Sequence, residues 1–310
     1  MSWNYSQNFF VDLMKRVAPE RIAQLDELLS LYKVVFETDQ ESNTIKFSAT
    51  PSENKITVGV RGVDRLWAYA FAYLGIYERL AERRNADPKI RVIDFTTDTD
   101  LKPAIDLLTW ATAEDIQAAY AHFMKDTRQP LELPSGVPMP FDPGGTTNQH
   151  KMASDLALMA LGFILFHELA HLVLKHEPTE GLPSILDEKE ADFWAASWMV
   201  DIDGIDGLVR KKRLLGVSLG LTWLTLFEIY LGPKQSLTHP ASYDRLFQVL
   251  DRLMDSRDQS TEGEDNWVWS WVQVQLLLHL RNRGVPLDES MTFDTFKDCV
   301  NYYLDVISRL

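Results

Sequence analysis

The sequence predicts a mostly helical α+β fold, with a small mixed N-terminal part that carries a short sheet and a helical core after it. Three observations predict this. Apolar residues recur at helical spacing over most of the 310 positions. Short β-branched runs are confined to the first hundred residues. A Pro- and Gly-rich stretch at residues 131–148 separates the two textures.

The elements follow in order. Phe10, Leu13, Val17, Ile22, Leu25, Leu28 and Leu29 fall at near-helical spacing, which predicts a helix through residue 33. Residues 45–47 and 56–60 read as strands around the turn-forming run Thr50-Pro51-Ser52-Glu53-Asn54. A helix is predicted over 63–84 and a third strand over 90–95. Residues 101–124 read as a helix with Pro103 in its first turn, where a missing N–H does no harm. The organisation expected is a mixed subdomain at 1–130, a connector at 131–148, a helical core at 149–258 and a C-terminal helical segment at 259–310. Residues 214–231 are apolar enough to raise the question of a membrane span. Glu228, Ser218 and two glycines favour a core helix of a soluble chain.

Composition excludes several classes. The net charge is −14, from 45 acidic and 31 basic residues. Proteins that neutralise phosphate carry a basic face, so no nucleic-acid partner is expected. The single cysteine, Cys299, cannot make an intrachain disulfide. The first residues lack the basic start and apolar run of a signal peptide. Together these predict a cytoplasmic protein.

The chemistry centres on His167-Glu168-Leu169-Ala170-His171. Residues four apart on a helix share a face, so two imidazoles at this spacing can grip one zinc ion. The glutamate beside the first histidine can then act as general base. The flanking run of Phe163, Ile164, Leu165, Phe166, Leu172 and Val173 makes this a buried helix. Polar groups buried there need a partner. Glu188 and Asp192 form a second i, i+4 pair shortly after. Glu188 is read as the third ligand, and Asp192 as the acceptor that orients a ligating imidazole. Glu190 points elsewhere at this spacing.

These motifs, H-E-x-x-H followed by E-x-x-A-D, resemble the gluzincin pattern of the CAAX prenyl protease and HtpX group of zinc peptidases. Thr238-His239-Pro240 followed by Arg245 resembles a further segment of that group. The resemblance implies a zincin-like metallopeptidase core holding one Zn2+ through His167, His171 and Glu188. It implies Glu168 as general base, with His239 and Arg245 at the site edge, positioning substrate or stabilising an oxyanion. In size and layout the chain also resembles the Lit-type phage-exclusion peptidase family. That resemblance implies a bacterial cytosolic endopeptidase that cuts a host protein during phage infection, with translation elongation factor Tu as a candidate substrate.

The partner expected is therefore a protein or peptide substrate, with any activator or inhibitor peptide unidentified. Two other readings stay open at this point. One is a membrane-associated gluzincin of the HtpX type. The other is a metal-binding interaction or sensor module without turnover. His176 is read as a helix-end or surface residue, and His279 as a core histidine.

Overall fold

The computed structural model describes residues 5–40, 45–86, 99–123, 138, 147–176, 184–231, 242–255, 266–288 and 290–310. Ser6 starts α1 (Gln7–Val17), its hydroxyl accepting the Phe9 N–H at 3.3 Å. The single helix expected through residue 33 is two. Ala18 leaves the helical region (φ −133°, ψ 68°), a 3-10 turn follows at Pro19–Arg21, and α2 spans Ile22–Leu31. The reason is Pro19. It offers no N–H to the preceding turn, and its ring bars the residue before it from helical geometry.

Three strands form one sheet in the order β1-β3-β2: β1 is Val35–Asp39, β2 is Phe47–Thr50 and β3 is Lys55–Gly59. β3 runs parallel to β1 and antiparallel to β2. β2 begins where the expected strand at 45–47 ended. β1 was not anticipated; Phe36 is its one buried side chain, so its apolar pattern is thin. The turn between β2 and β3 is the 3-10 segment Pro51–Glu53, closed by Asn54 in the left-handed region (φ 51°). The strand expected at 90–95 lies outside the described residues.

Among the described residues eight more helices follow: α3 (Val60–Ala86), α4 (Lys102–Phe123), α5 (Asn148–Val173), α6 (Ile185–Val200), α7 (Gly207–Leu231), α8 (Ser242–Asp255), α9 (Asn266–Asn282) and α10 (Phe296–Ser308). α5 is the central one and packs against α1, α3, α6, α7 and β2. Thr147 caps it by accepting the His150 N–H at 3.1 Å. From Ala160 to Leu172 every residue of α5 is buried, which explains its all-round apolar character. It is also the one helix among the described residues that is long and apolar enough to cross a membrane, and 83% of that stretch is buried inside the fold. In α7, Leu214, Val217, Leu221, Trp223 and Leu226 belong to the hydrophobic core. α5 and α7 touch backbone to side chain at Gly216. A Cβ there would meet the Met159 carbonyl carbon at 3.0 Å and the Ala160 nitrogen at 3.2 Å.

Candidate metal centre

His167 and His171 are successive turns of α5, and their Nε2 atoms converge to 3.1 Å. α6 brings a carboxylate to the same point. Its start is fixed by a capping box, in which Ser184 accepts the Leu186 and Asp187 N–H groups and Asp187 reaches back to the Ser184 N–H. Glu188, in the next position, places Oε2 3.4 Å from His167 Nε2 and Oε1 3.5 Å from His171 Nε2. Ala191, Ala195 and Ala170, all fully buried, let the two helices come this close. A tetrahedral zinc ion with donors about 2.0–2.1 Å away separates those donors by about 3.3–3.4 Å. One donor atom from each of His167, His171 and Glu188 lies within 4.8 Å of the other two, a buried cluster that could hold a metal ion.

The charge balance points the same way. Glu168, Glu188 and Asp192 are buried, and the Arg245 guanidinium meets Glu188 and Asp192. Buried carboxylates gathered this closely favour positive charge at the same point. His167 holds part of this balance. Burial alone would lower its pKa, but Asp192 and then Glu188 raise it to about 10. His171 moves the other way, to about 3, through burial and the neighbouring His167. Glu188 would be lifted by burial, yet His167 and Arg245 hold it near 2.

Behind the triangle lies a second layer of contacts. His167 Nδ1 is 2.8 Å from Asp192 Oδ1, a charge contact between the two side chains. Asp192 is fully buried and takes two bonds from Arg245 of α8: Nε to Oδ2 at 2.6 Å and a terminal nitrogen to Oδ1 at 2.8 Å. Arg245 also approaches Glu188 at 3.5 Å. Sequence reasoning put Arg245 at the site edge, toward substrate or an oxyanion. Its guanidinium lines the cavity and also reaches Glu188 and Asp192 of α6. His239 lies outside the described residues.

Glu168 faces a cavity of about 310 Å³, walled on one side by Ile45, Phe47 and Ala49 and on the other by Phe163 and Leu224. Burial pushes its pKa up to about 7. His167, the Ala49 N–H and Arg245 oppose the rise, and Glu188 adds to it. The Ala49 contact follows from strand phase. The Gly59 N–H donates to the Lys46 carbonyl at 2.7 Å, and Ser48 and Thr50 continue that alternation opposite Thr57 and Lys55. Phe47 and Ala49 therefore turn their backbone groups to the open edge, over α5.

Sequence reasoning missed His176, whose Nδ1 lies 3.0 Å from His171 Nδ1 and which lines the same cavity. A signal for it existed: a residue five past the last ligand, just beyond a helix end, can fold back on the final turn. His279 is buried, as a core histidine should be, and burial lowers its pKa to about 3.

Comparison with known proteins agrees with this chemistry. A curated relative, the "Cell death peptidase" of Escherichia coli (strain K12), is 24% identical over 299 residues, spanning 95% of this chain and 93% of its own length. No solved structure matches. The family model described as Peptidase U49 matches residues 56–267, a stretch that takes in β3, both histidines, α6 and Arg245. The chain is a peptidase and belongs to the peptidase U49 family, the Lit-type group that its size and layout resemble.

Proposed function

We propose that this chain is a zinc-dependent endopeptidase that acts on a host protein in the bacterial cytoplasm. The observation that carries the reading is the buried donor triangle of His167, His171 and Glu188 with Glu168 beside it. Two imidazoles and one carboxylate are the donor set of hydrolytic zinc sites that keep a position open. Bound zinc supplies a Lewis acid that polarises a peptide carbonyl and makes water a nucleophile near neutral pH.

The chain's own residues do the rest. Glu168, poised near 7, takes a proton from the attacking water and returns it to the leaving amine. Asp192 accepts from His167 Nδ1 and leaves Nε2 free for the metal. Arg245 is a positioning residue here, fixing Glu188 and Asp192 of α6. The role of His239 at the site edge rests on the family resemblance. The open edge of β2 can receive an extended peptide as an added strand, through the Phe47 and Ala49 backbone groups. The apolar wall of Ile45, Phe47, Phe163 and Leu224 then faces its side chains. In this reading residues 149–258 form the metallopeptidase core and the 1–130 part supplies the upper wall of the cleft. The Lit-type resemblance supports a role in phage defence, with translation elongation factor Tu as the first substrate to try.

The test compares wild type with Glu168→Gln in host cells before and after phage infection. Both proteins should purify with about one zinc per chain, and only wild type should create a new N-terminus in the host proteome, the variant losing about 100-fold or more of the rate. Wild-type protein that carries no stoichiometric zinc would overturn the reading.

A further inference from the structure

α5 ends in a Schellman turn. Leu174 is its cap, Lys175 takes φ 57°, and the His176 N–H returns to the His171 carbonyl at 3.0 Å. The turn folds the His176 side chain back onto the last turn of the helix. There the two rings meet at 72°, centroids 5.0 Å apart, with Nδ1 facing Nδ1 at 3.0 Å. The His176 side chain is only 7% exposed, although it follows a fully exposed-type turn residue, Lys175.

We propose that His176 is a positioning residue: it accepts the Nδ1–H of His171 and thereby holds that ring, in tautomer and in orientation, as an Nε2 donor to the metal. The inference rests on the metallopeptidase reading. A ligating imidazole offers one nitrogen lone pair and carries its proton on the other nitrogen, which needs an acceptor. His167 has Asp192 for this. The group at Nδ1 of His171 is His176.

One proton arrangement satisfies the contact and leaves His171 Nε2 free. His171 donates from Nδ1, His176 accepts at Nδ1, and His176 carries its own proton on Nε2. That last atom is buried without a hydrogen bond and lies 3.5 Å from a carboxylate oxygen of Glu190, a charge contact that favours a proton there. The opposite tautomer would place the His171 proton on Nε2, aimed at His167 Nε2 and at the metal position. In it, His176 would donate from Nδ1 and carry its lone pair on Nε2, toward the Glu190 carboxylate. Glu190, which sequence spacing set aside as a ligand, gains a part behind the second histidine.

The test uses two substitutions of similar size in the full chain. An Asn side-chain oxygen can take the place of Nδ1 as acceptor, whereas Leu cannot. His176→Leu should weaken zinc binding by about 10- to 100-fold in chelator competition, and His176→Asn should stay within about threefold of wild type. The visible spectrum of the cobalt-substituted protein should shift in His176→Leu and persist in His176→Asn. Equal zinc affinity in His176→Leu and wild type overturns the proposal, as does an equal loss in both variants. If His176→Leu fails to fold, His176→Asn decides alone: retained affinity supports the proposal and a tenfold loss overturns it. Wild-type protein that binds no zinc removes the metallopeptidase reading itself, a result distinct from either.

Discussion

The two histidines of one helical turn are held by opposite means. His167 faces a carboxylate locked by a guanidinium, and its pKa is raised; His171 sits among imidazoles, and its pKa is lowered. Arg245 is the hinge of this asymmetry because its planar fork meets both oxygens of Asp192. Lysine would keep the charge but lose the paired bonds. Arg245→Lys should therefore weaken zinc binding by about 10- to 100-fold while the chain still folds, as read by chelator competition beside a circular-dichroism melt. His167, Glu168, His171, Glu188 and Asp192 were legible because i, i+4 spacing reports a shared helix face. The contacts of Arg245 with Glu188 and Asp192 were not, since they depend on where α8 docks. Nor was His176, whose place is set by the left-handed Lys175, a conformation periodicity does not report.

Among the elements, α5 was readable from its apolar run and α3, α4, α6 and α7 from periodicity or capping signals. The break at Pro19 could have been drawn from the same rules that placed Pro103. The sheet was the hardest part: β1 buries one side chain, and β2 reaches the cleft through its backbone as well as through Phe47 and Ala49. The depth at which α7 lies against α5 is set by Gly216. A methyl group there meets backbone atoms, which cannot rotate aside, so one helix must shift. Gly216→Ala should destabilise the protein by about 1–3 kcal/mol in urea unfolding, and weaken zinc binding if α5 moves with it. Stability equal to wild type would show that the contact relaxes at no cost.

At the scale of the whole molecule, the net charge of −14 includes acids that are not surface charge. Asp64 of α3 accepts the Tyr5 hydroxyl at 2.9 Å and ties the start of the chain to the core. Burial lifts its pKa to about 6, with the Tyr5 bond and Arg61 pulling against the rise. The folded state thus holds this proton more tightly than the unfolded chain, whose Asp titrates near 3.9. Stability from Asp64 is complete below that value and falls as pH rises through about 6. Asp64→Asn keeps an acceptor for Tyr5 and removes the charge. It should gain about 2–3 kcal/mol over wild type at pH 8 and nothing at pH 3.5, as measured by denaturant unfolding at each pH.

The strand that overhangs the cleft ends at Thr50, the histidines follow at 167 and 171, and the guanidinium that locks α6 arrives at 245. Ribosomes deliver these parts in that order. A growing chain that has reached α6 owns its metal donors, yet the carboxylates of α6 still lack their counter-charge. That counter-charge, Arg245, comes about four-fifths of the way along the 310 residues, so the donors and the group that fixes them are separated in the order of synthesis.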